Sequence, residues 1–492
     1  MSKFNKNAVN QHLKFDTVNH EGEKAHKLDP ELELYSLVCT CALSNQFYRN
    51  DRESILRLIK LIFVVDPEFT KKLAIYAREK MYLRTIPLVI AALLARRDNC
   101  DKKFVCRIIQ RADEITELLT IWSHFNENDK LKIPASIKKG IALSFDKFDA
   151  YQFAKYERKG KEIALRDAMF LTHPKPGDKE REKLYKEIAN KTLPVPYTWE
   201  TEISAAKKNG KTKKQVWGEL IKSERIGFMA AIRNFRNILN ENVDQDKINK
   251  IADFISNQEA VQKSKQLPFR FLSAYREVRE IEHPEVHVFL EALEKAIMYS
   301  CDNIPGFDGQ TLLIASDVSG SMMRGVSEKS KVELYDIGLI LSMMLQSKTR
   351  CYTGIFGDTF KIKQLPKDKI IGNVMDLRRI GNEVGYSTNG YKVIRWLLEN
   401  KKKVDKVVIF TDCQLWGSDY HDDHIVKEWI KYKAFNPKAK LYLFDLAGYG
   451  DTPLKINEKD VYMIAGWSDK IFDVLAALDR GDSIVDVING VE

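Results

Sequence analysis

Long apolar runs are missing from this sequence. The longest, Ile86–Ala95, lies between Arg84 and Arg96 and falls well short of the about 20 residues that a membrane helix needs. The amino-terminal stretch is polar and charged, without the apolar core of a secretory signal. Cysteine is sparse: seven residues, an odd number without regular spacing, with Cys39 and Cys41 too close together for a C-x-x-C motif. No disulfide framework follows, and the expectation is a soluble, cytoplasmic protein with no membrane partner. Phosphate-binding glycine loops, dinucleotide fingerprints and Ser/His/Asp sets in a strand–turn–helix context are also lacking. Nothing in the chain announces catalysis.

Acidic residues are scarce in one region only. Residues 130–236 hold 25 Lys and Arg against 13 Asp and Glu, an excess of 12, whereas residues 301–492 hold 26 against 27. The whole of the net charge of +10 therefore sits in about a fifth of the chain. Such asymmetry points to a polyanionic partner for the N-terminal part, with Lys138, Lys139 and Lys155 as candidate contacts. The competing reading is a solvated Lys/Glu surface, which a twofold shortage of acids disfavours.

With 492 residues, the chain is too long for one core. Residues 1–28 read as a loosely ordered leader. From Asp29-Pro30 to about residue 303, helix follows helix, with starts at Asp66-Pro67 and Thr85-Ile86-Pro87 and breaks every 12 to 20 residues. Strandless stacked pairs of this kind suggest an α-solenoid of divergent repeats. The prolines of Thr172–Asp178 and Thr192–Trp199 interrupt helix inside the basic segment and mark candidate recognition loops. After Asn303-Ile304-Pro305-Gly306, the texture becomes β, α, β. Apolar strands are expected at Leu312–Ala315, Tyr352–Phe356, Val407–Phe410, Leu441–Phe444 and Val461–Ile464, with a nearly all-apolar helix at Val332–Leu345. This alternation predicts a doubly wound, mainly parallel sheet over residues 304–492.

The first of these strands runs into Asp317-Val318-Ser319-Gly320-Ser321, a carboxylate and two hydroxyls on alternate positions. At the carboxyl end of a parallel strand they would crowd into one small volume, where open α/β sheets hold ligands. Asp412 ends a second apolar strand, and Thr388 lies in a glycine-bounded loop between them in sequence. Asp317, Ser319, Ser321, Thr388 and Asp412 together offer oxygen ligands only, which suits Mg²⁺, with Mn²⁺ the alternative. The bland alternative is a polar turn in which Asp317 caps the next helix. His283-Pro284-Glu285-Val286-His287 has the wrong order for a zincin and reads as a helix start; His421–His424 reads as a polar loop opening a helix.

The D-x-S-x-S pattern is that of the metal-ion-dependent adhesion site of von Willebrand factor A-type domains. With Asp66–Leu88, Ile133–Tyr156, Leu165–Pro176, Tyr197-Thr198-Trp199-Glu200 and Met229–Leu239, in that order, much of the chain resembles the TROVE-domain proteins of the Ro autoantigen family. The resemblance implies a ring of HEAT-like helical repeats over residues 29–303, which an A-type domain over 304–492 helps close. It also implies binding of small noncoding Y-like RNA and of the single-stranded ends of misfolded RNAs. The role would be noncoding-RNA quality control as a ribonucleoprotein, alongside an exoribonuclease or another protein held through the metal site. By motif match the RNA contacts are Lys155, Lys159 and His173. Arg158 stands level with Lys159, because the loop after Tyr156 is one residue longer than the family pattern. The Thr388 loop departs from the pattern in lacking its glycine run and adjacent acid. Two other functions stay open: a metal-dependent protein-interaction module on a helical scaffold, and a metal-dependent enzyme acting on RNA.

Overall fold

A computed structural model of the chain describes residues 15–41, 51–126, 132–157, 160–302, 304–326, 330–416 and 424–491. These divide into two compact units. One takes in residues up to 41 and 227–487; the other takes in 51–226 and 488–491.

The second unit is helical, with no strand among its described residues. Helix Pro67–Glu79 starts where the sequence indicates: the Asp66 carboxylate accepts the Phe69 N–H at 2.8 Å, and Pro67 occupies the first turn, where its missing N–H costs nothing. Helix Thr85–Ala95 is buried on every side, as its apolar run requires, and packs against Pro67–Glu79 and Ala112–Phe125. Helices Lys102–Ile108 and Ala135–Ser144 approach closely at Gly140, where a Cβ would run into the Val105 side chain. The proline stretches are non-helical as expected. His173 and Lys191, both in the left-handed region, end helices Leu165–Thr172 and Lys179–Asn190 ahead of them.

The first unit is built on a six-stranded sheet. Its strands are β3 (Thr311–Asp317), β4 (Arg350–Phe356), β5 (Phe360–Ile362), β6 (Lys406–Thr411), β7 (Lys440–Asp445) and β9 (Val461–Ala465), in the order β5-β4-β3-β6-β7-β9. All neighbours are parallel except β4 and β5. Helices cover both faces. Leu313, Ala315, Val407 and Ile409 share one core with helices Tyr391–Glu399 and Ile425–Phe435. On the opposite face, Gly338 of helix Leu334–Lys348 meets Phe410 and Leu446. Every expected strand is present. The antiparallel edge strand β5 and helix Ile371–Arg379 were not anticipated.

Two aspects of the organisation go beyond what the sequence indicates. Residues 15–28 are not a loose leader where they are described: β1 (Thr17–Val18) and β2 (Lys24–Lys27) pair antiparallel, and β2 pairs with β8 (Asp451–Thr452). Helix Pro30–Thr40 then joins the sheet rather than the solenoid. The Tyr35 hydroxyl accepts the Ala465 N–H and donates to its carbonyl, both at 3.1 Å. Residues 1–14 lie outside the described residues. The compact units part near residue 227. Helices Phe269–Arg279 and Val286–Ser300 are tied to the sheet domain by charge: Asp336, fully buried, takes Arg276 at 2.7 and 2.5 Å and Arg378 at 2.5 Å. Glu294 accepts the N–H groups of Ile371 and Gly372 at 2.9 and 3.0 Å, capping helix Ile371–Arg379. No described helix is long and apolar enough to cross a membrane.

Candidate functional site

Parallel pairing of β3 with β6, Ser316 opposite Phe410, sets Asp317 and Asp412 side by side at the carboxyl edge of the sheet. Three loops meet there. The Gly320 N–H donates to the Tyr386 carbonyl at 3.0 Å, and the Trp416 N–H to the Thr388 carbonyl at 3.0 Å. The Thr388 loop is thus bonded to both carboxylate loops. Glycine makes the approach feasible: Gly385 holds φ +76°, and a Cβ on Gly357 would run into the Gly385 carbonyl.

Within the site, the Ser319 N–H donates to Asp317 Oδ1 at 2.9 Å, and the Ser319 and Ser321 hydroxyls are 3.3 Å apart. The structure therefore gathers Asp317, Ser319, Ser321 and Asp412, with Thr388 on the adjoining loop. Thr388 Oγ1 and Asp412 Oδ2 are buried and have no hydrogen-bond partner among the described residues. Two orphaned oxygens in an oxygen-only set fit a hard cation, which would supply what each lacks. Burial pushes the Asp317 carboxyl up to about 7, aided by the charge of Asp412 and opposed by hydrogen bonds from Ser319 and Thr411. Asp412 is likewise raised, chiefly by burial, against the Ser321 hydroxyl and the Gln414 amide. Two carboxylates so placed resist ionising together unless a positive charge joins them.

Sequence reasoning missed three contributors. Thr411 donates its hydroxyl to Asp317 Oδ2 at 2.8 Å. Gln414 donates its N–H to Asp412 Oδ1 at 3.0 Å, donates Nε2 to Asp451 at 3.0 Å and accepts the His20 N–H at 2.6 Å. Asp445, ending β7, accepts the Ala447 and Gly448 N–H groups at 2.9 Å each, and the Ser36 hydroxyl. Asp445 was findable, since Leu441–Phe444 followed by an acid repeats the pattern that flagged Asp317 and Asp412. His283 and His287 are used in the turn that starts helix Val286–Ser300, as the sequence indicates. Residues 421–423 lie outside the described residues, and among the described ones no three His, Cys, Asp or Glu side chains are grouped to hold a metal.

The basic candidates lie in the helical unit. Lys138 and Lys139 are on helix Ala135–Ser144, the first half-buried and the second exposed. Lys155 is exposed in the last turn of helix Ala150–Tyr156, and His173 is the exposed, left-handed end of helix Leu165–Thr172. Helices Ala135–Ser144 and Leu165–Thr172 pack together. Arg158 and Lys159 lie outside the described residues. Among the described residues no carboxylate pairs with Lys138, Lys139 or Lys155, whereas Lys186 and Lys211 are matched to Glu182 and Glu219.

Comparison with known proteins bears on both units. A model of the TROVE domain matches residues 32–193 and 189–292, and a model of the Ro60 vWA domain matches residues 311–478. Telomerase protein component 1 of Mus musculus is 22% identical over 344 residues, 52% of this chain and 13% of that protein. The RNA-binding protein RO60 of Caenorhabditis elegans is 26% identical over 272 residues, 51% of this chain and 41% of that protein. The chain thus spans less than half the length of these curated relatives. The crystal structure of the Deinococcus radiodurans RO (RSR) protein superposes with a TM-score of 0.61 at 16% identity, over 92% of this chain and 100% of that one. At that identity the likeness is one of fold. Because the TROVE model covers more than half of the residues and the Ro60 vWA model follows it in order, the chain belongs to the TROVE-domain family of Ro proteins.

Proposed function

We propose that this protein binds noncoding RNA, Y-like RNA and misfolded structured RNA with a single-stranded end, as a cytoplasmic ribonucleoprotein of RNA quality control. It acts by binding, without a chemical step of its own. The observation that carries the reading is a basic, acid-poor segment whose Lys138, Lys139 and Lys155 have no carboxylate partner among the described residues. A relative named as an RNA-binding protein supports it. In this reading Asp317, Ser319, Ser321, Thr388 and Asp412 hold Mg²⁺ or Mn²⁺ without a part in RNA binding, and the ion's open positions serve a protein partner such as an exoribonuclease.

Affinity should depend steeply on salt, because lysines displace counterions condensed on phosphate. Charge reversal at Lys138, Lys139 and Lys155 should weaken binding to many RNAs alike and flatten the plot of log affinity against log salt by about 0.7–0.9 per lost contact. An unaltered slope would place the basic face elsewhere. A hairpin with a single-stranded tail of about 10 nucleotides should bind at least about tenfold more tightly than the blunt hairpin, since unstacked bases and their phosphates add contacts that a duplex withholds. His173→Ala should remove much of that gain. Equal affinity for both RNAs would reduce the function to general polyanion binding.

A further inference from the structure

Resting on the RNA-binding reading, we infer that Tyr151 and Tyr197, flanked by Lys155 and Arg225, form a stacking site for unpaired bases of single-stranded RNA. Helix Ala150–Tyr156 buries Phe153 against Phe145 and Phe148 and buries Ala154, yet leaves Tyr151 44% exposed. The Tyr151 hydroxyl lies 3.5 Å from the carbonyl of Tyr197, so two residues distant in sequence sit side by side. Tyr197 belongs to the proline loop ahead of helix Trp199–Ala205, and that loop is held firmly. The Thr201 hydroxyl donates to the Pro196 carbonyl at 2.8 Å, and Trp199 stacks on buried Trp217 at 5.9 Å. Rings held in place before binding lose little freedom when a base lands on them.

The cations are where a nucleotide would use them. Lys155 Nζ lies 5.8 Å from the Tyr151 ring centre and 5.6 Å from that of Tyr156; the Arg225 guanidinium lies 5.4 Å from the Tyr197 centre. Lys155 and Arg225 are exposed, in the segment where basic residues outnumber acidic ones about two to one. A single strand offers both matching parts at each step, a planar base for the ring and a phosphate for the cation. A duplex keeps its base faces stacked inside, so only its phosphates would be read. An acidic peptide would use the cations and leave the rings idle.

The test uses the full chain, a labelled oligouridylate of about 10 nucleotides and a blunt hairpin. Joint Tyr151→Ala and Tyr197→Ala should weaken oligouridylate binding about fivefold or more per ring, leave its salt slope unchanged and leave the hairpin's affinity as it was. Joint Tyr151→Phe and Tyr197→Phe should keep the affinity, because the ring and not the hydroxyl does the stacking. Lys155→Gln should instead lower the slope. In the unsubstituted chain, 4-thiouridine photocrosslinks should map to the peptides carrying Tyr151 and Tyr197, a readout independent of any variant's folding. Wild-type binding that the alanine pair does not alter, or crosslinks confined to other peptides, would overturn the stacking site and leave RNA binding standing. If the wild-type chain bound neither RNA yet bound poly-glutamate, the RNA-binding reading would fall and the stacking site with it.

Discussion

Glu114→Ala should cost the helical unit about 3–5 kcal/mol, the penalty for stranding a buried charge. Glu114 is fully buried between helices Pro67–Glu79 and Ala112–Phe125. Its carboxylate accepts Arg78 at 2.7 and 3.0 Å and Arg84 at 3.4 Å, with the Gln110 and Arg111 N–H groups at 2.8 and 3.1 Å. Alanine removes the one anion beside Arg78, itself buried, among the described residues; of these, the Ile108 carbonyl at 3.0 Å and a long contact to Leu83 remain to it. The guanidinium cannot shed its proton to escape, so the full desolvation cost stands. Glu114→Gln, which retains an acceptor, should cost less. Replacing both partners, Arg78→Met with Glu114→Leu, should recover part of the loss, because it removes both charges instead of separating them, while the Gln110 and Arg111 N–H groups stay without their acceptor. Melting of the full chain measures the total, and hydrogen exchange in helices 67–79 and 112–125 localises it. A loss below about 1 kcal/mol in Glu114→Ala would show that water reaches Arg78.

What the sequence disclosed and what it withheld follow from how local each signal is. Strands β3, β6 and β7 are apolar runs because both their faces are covered; β3 and β7 end in an acid at the sheet's carboxyl edge and β6 is followed by one, so strands and candidate oxygens were legible together. Strand β5 was not, being three residues, Phe360-Lys361-Ile362, at an edge where one side chain points outward. The grouping of helices 228–300 with the sheet was invisible because its ties, Arg276 to Asp336 and Glu294 to Ile371, join residues more than fifty positions apart. The amino-terminal hairpin failed for another reason. Lys24-Ala25-His26-Lys27 buries just its two middle residues, too few to stand out from a polar leader. Of the oxygen cluster at the sheet edge, Asp317, Ser319 and Ser321 stand in a spacing that the sequence alone displays. Thr411 and Gln414 were not, since a threonine and a glutamine beside an aspartate are ordinary until the fold turns them inward.

Stabilisation by Mg²⁺ should be slight well below pH 7 and large well above it. Asp317 is held in the folded chain at about 7, against an ordinary 3.8, by burial and by the nearby charge of Asp412. Between those values the folded state keeps a proton that the unfolded chain has released. Stability without the cation is therefore fully present below about pH 4 and is lost as pH rises through about 7, levelling off beyond it. A divalent cation reverses the trend, because it binds the ionised carboxylates and must displace that proton. Binding to the folded state alone raises stability by RT ln(1 + [L]/Kd), so the melting-temperature gain from millimolar Mg²⁺ should grow with pH through this window. Asp317→Asn should abolish both the gain and its pH dependence, and Asp412→Asn should weaken the gain sharply. Asp317→Ala should leave RNA affinity essentially unchanged, as expected if the metal site and the basic surface work separately. The decisive comparison is melting with Mg²⁺ and with chelator at pH values on either side of 7. A gain equal at both, or one that survives in Asp317→Asn, would remove the cation from this cluster. A large loss of RNA binding in folded Asp317→Ala would instead show that the two sites act together.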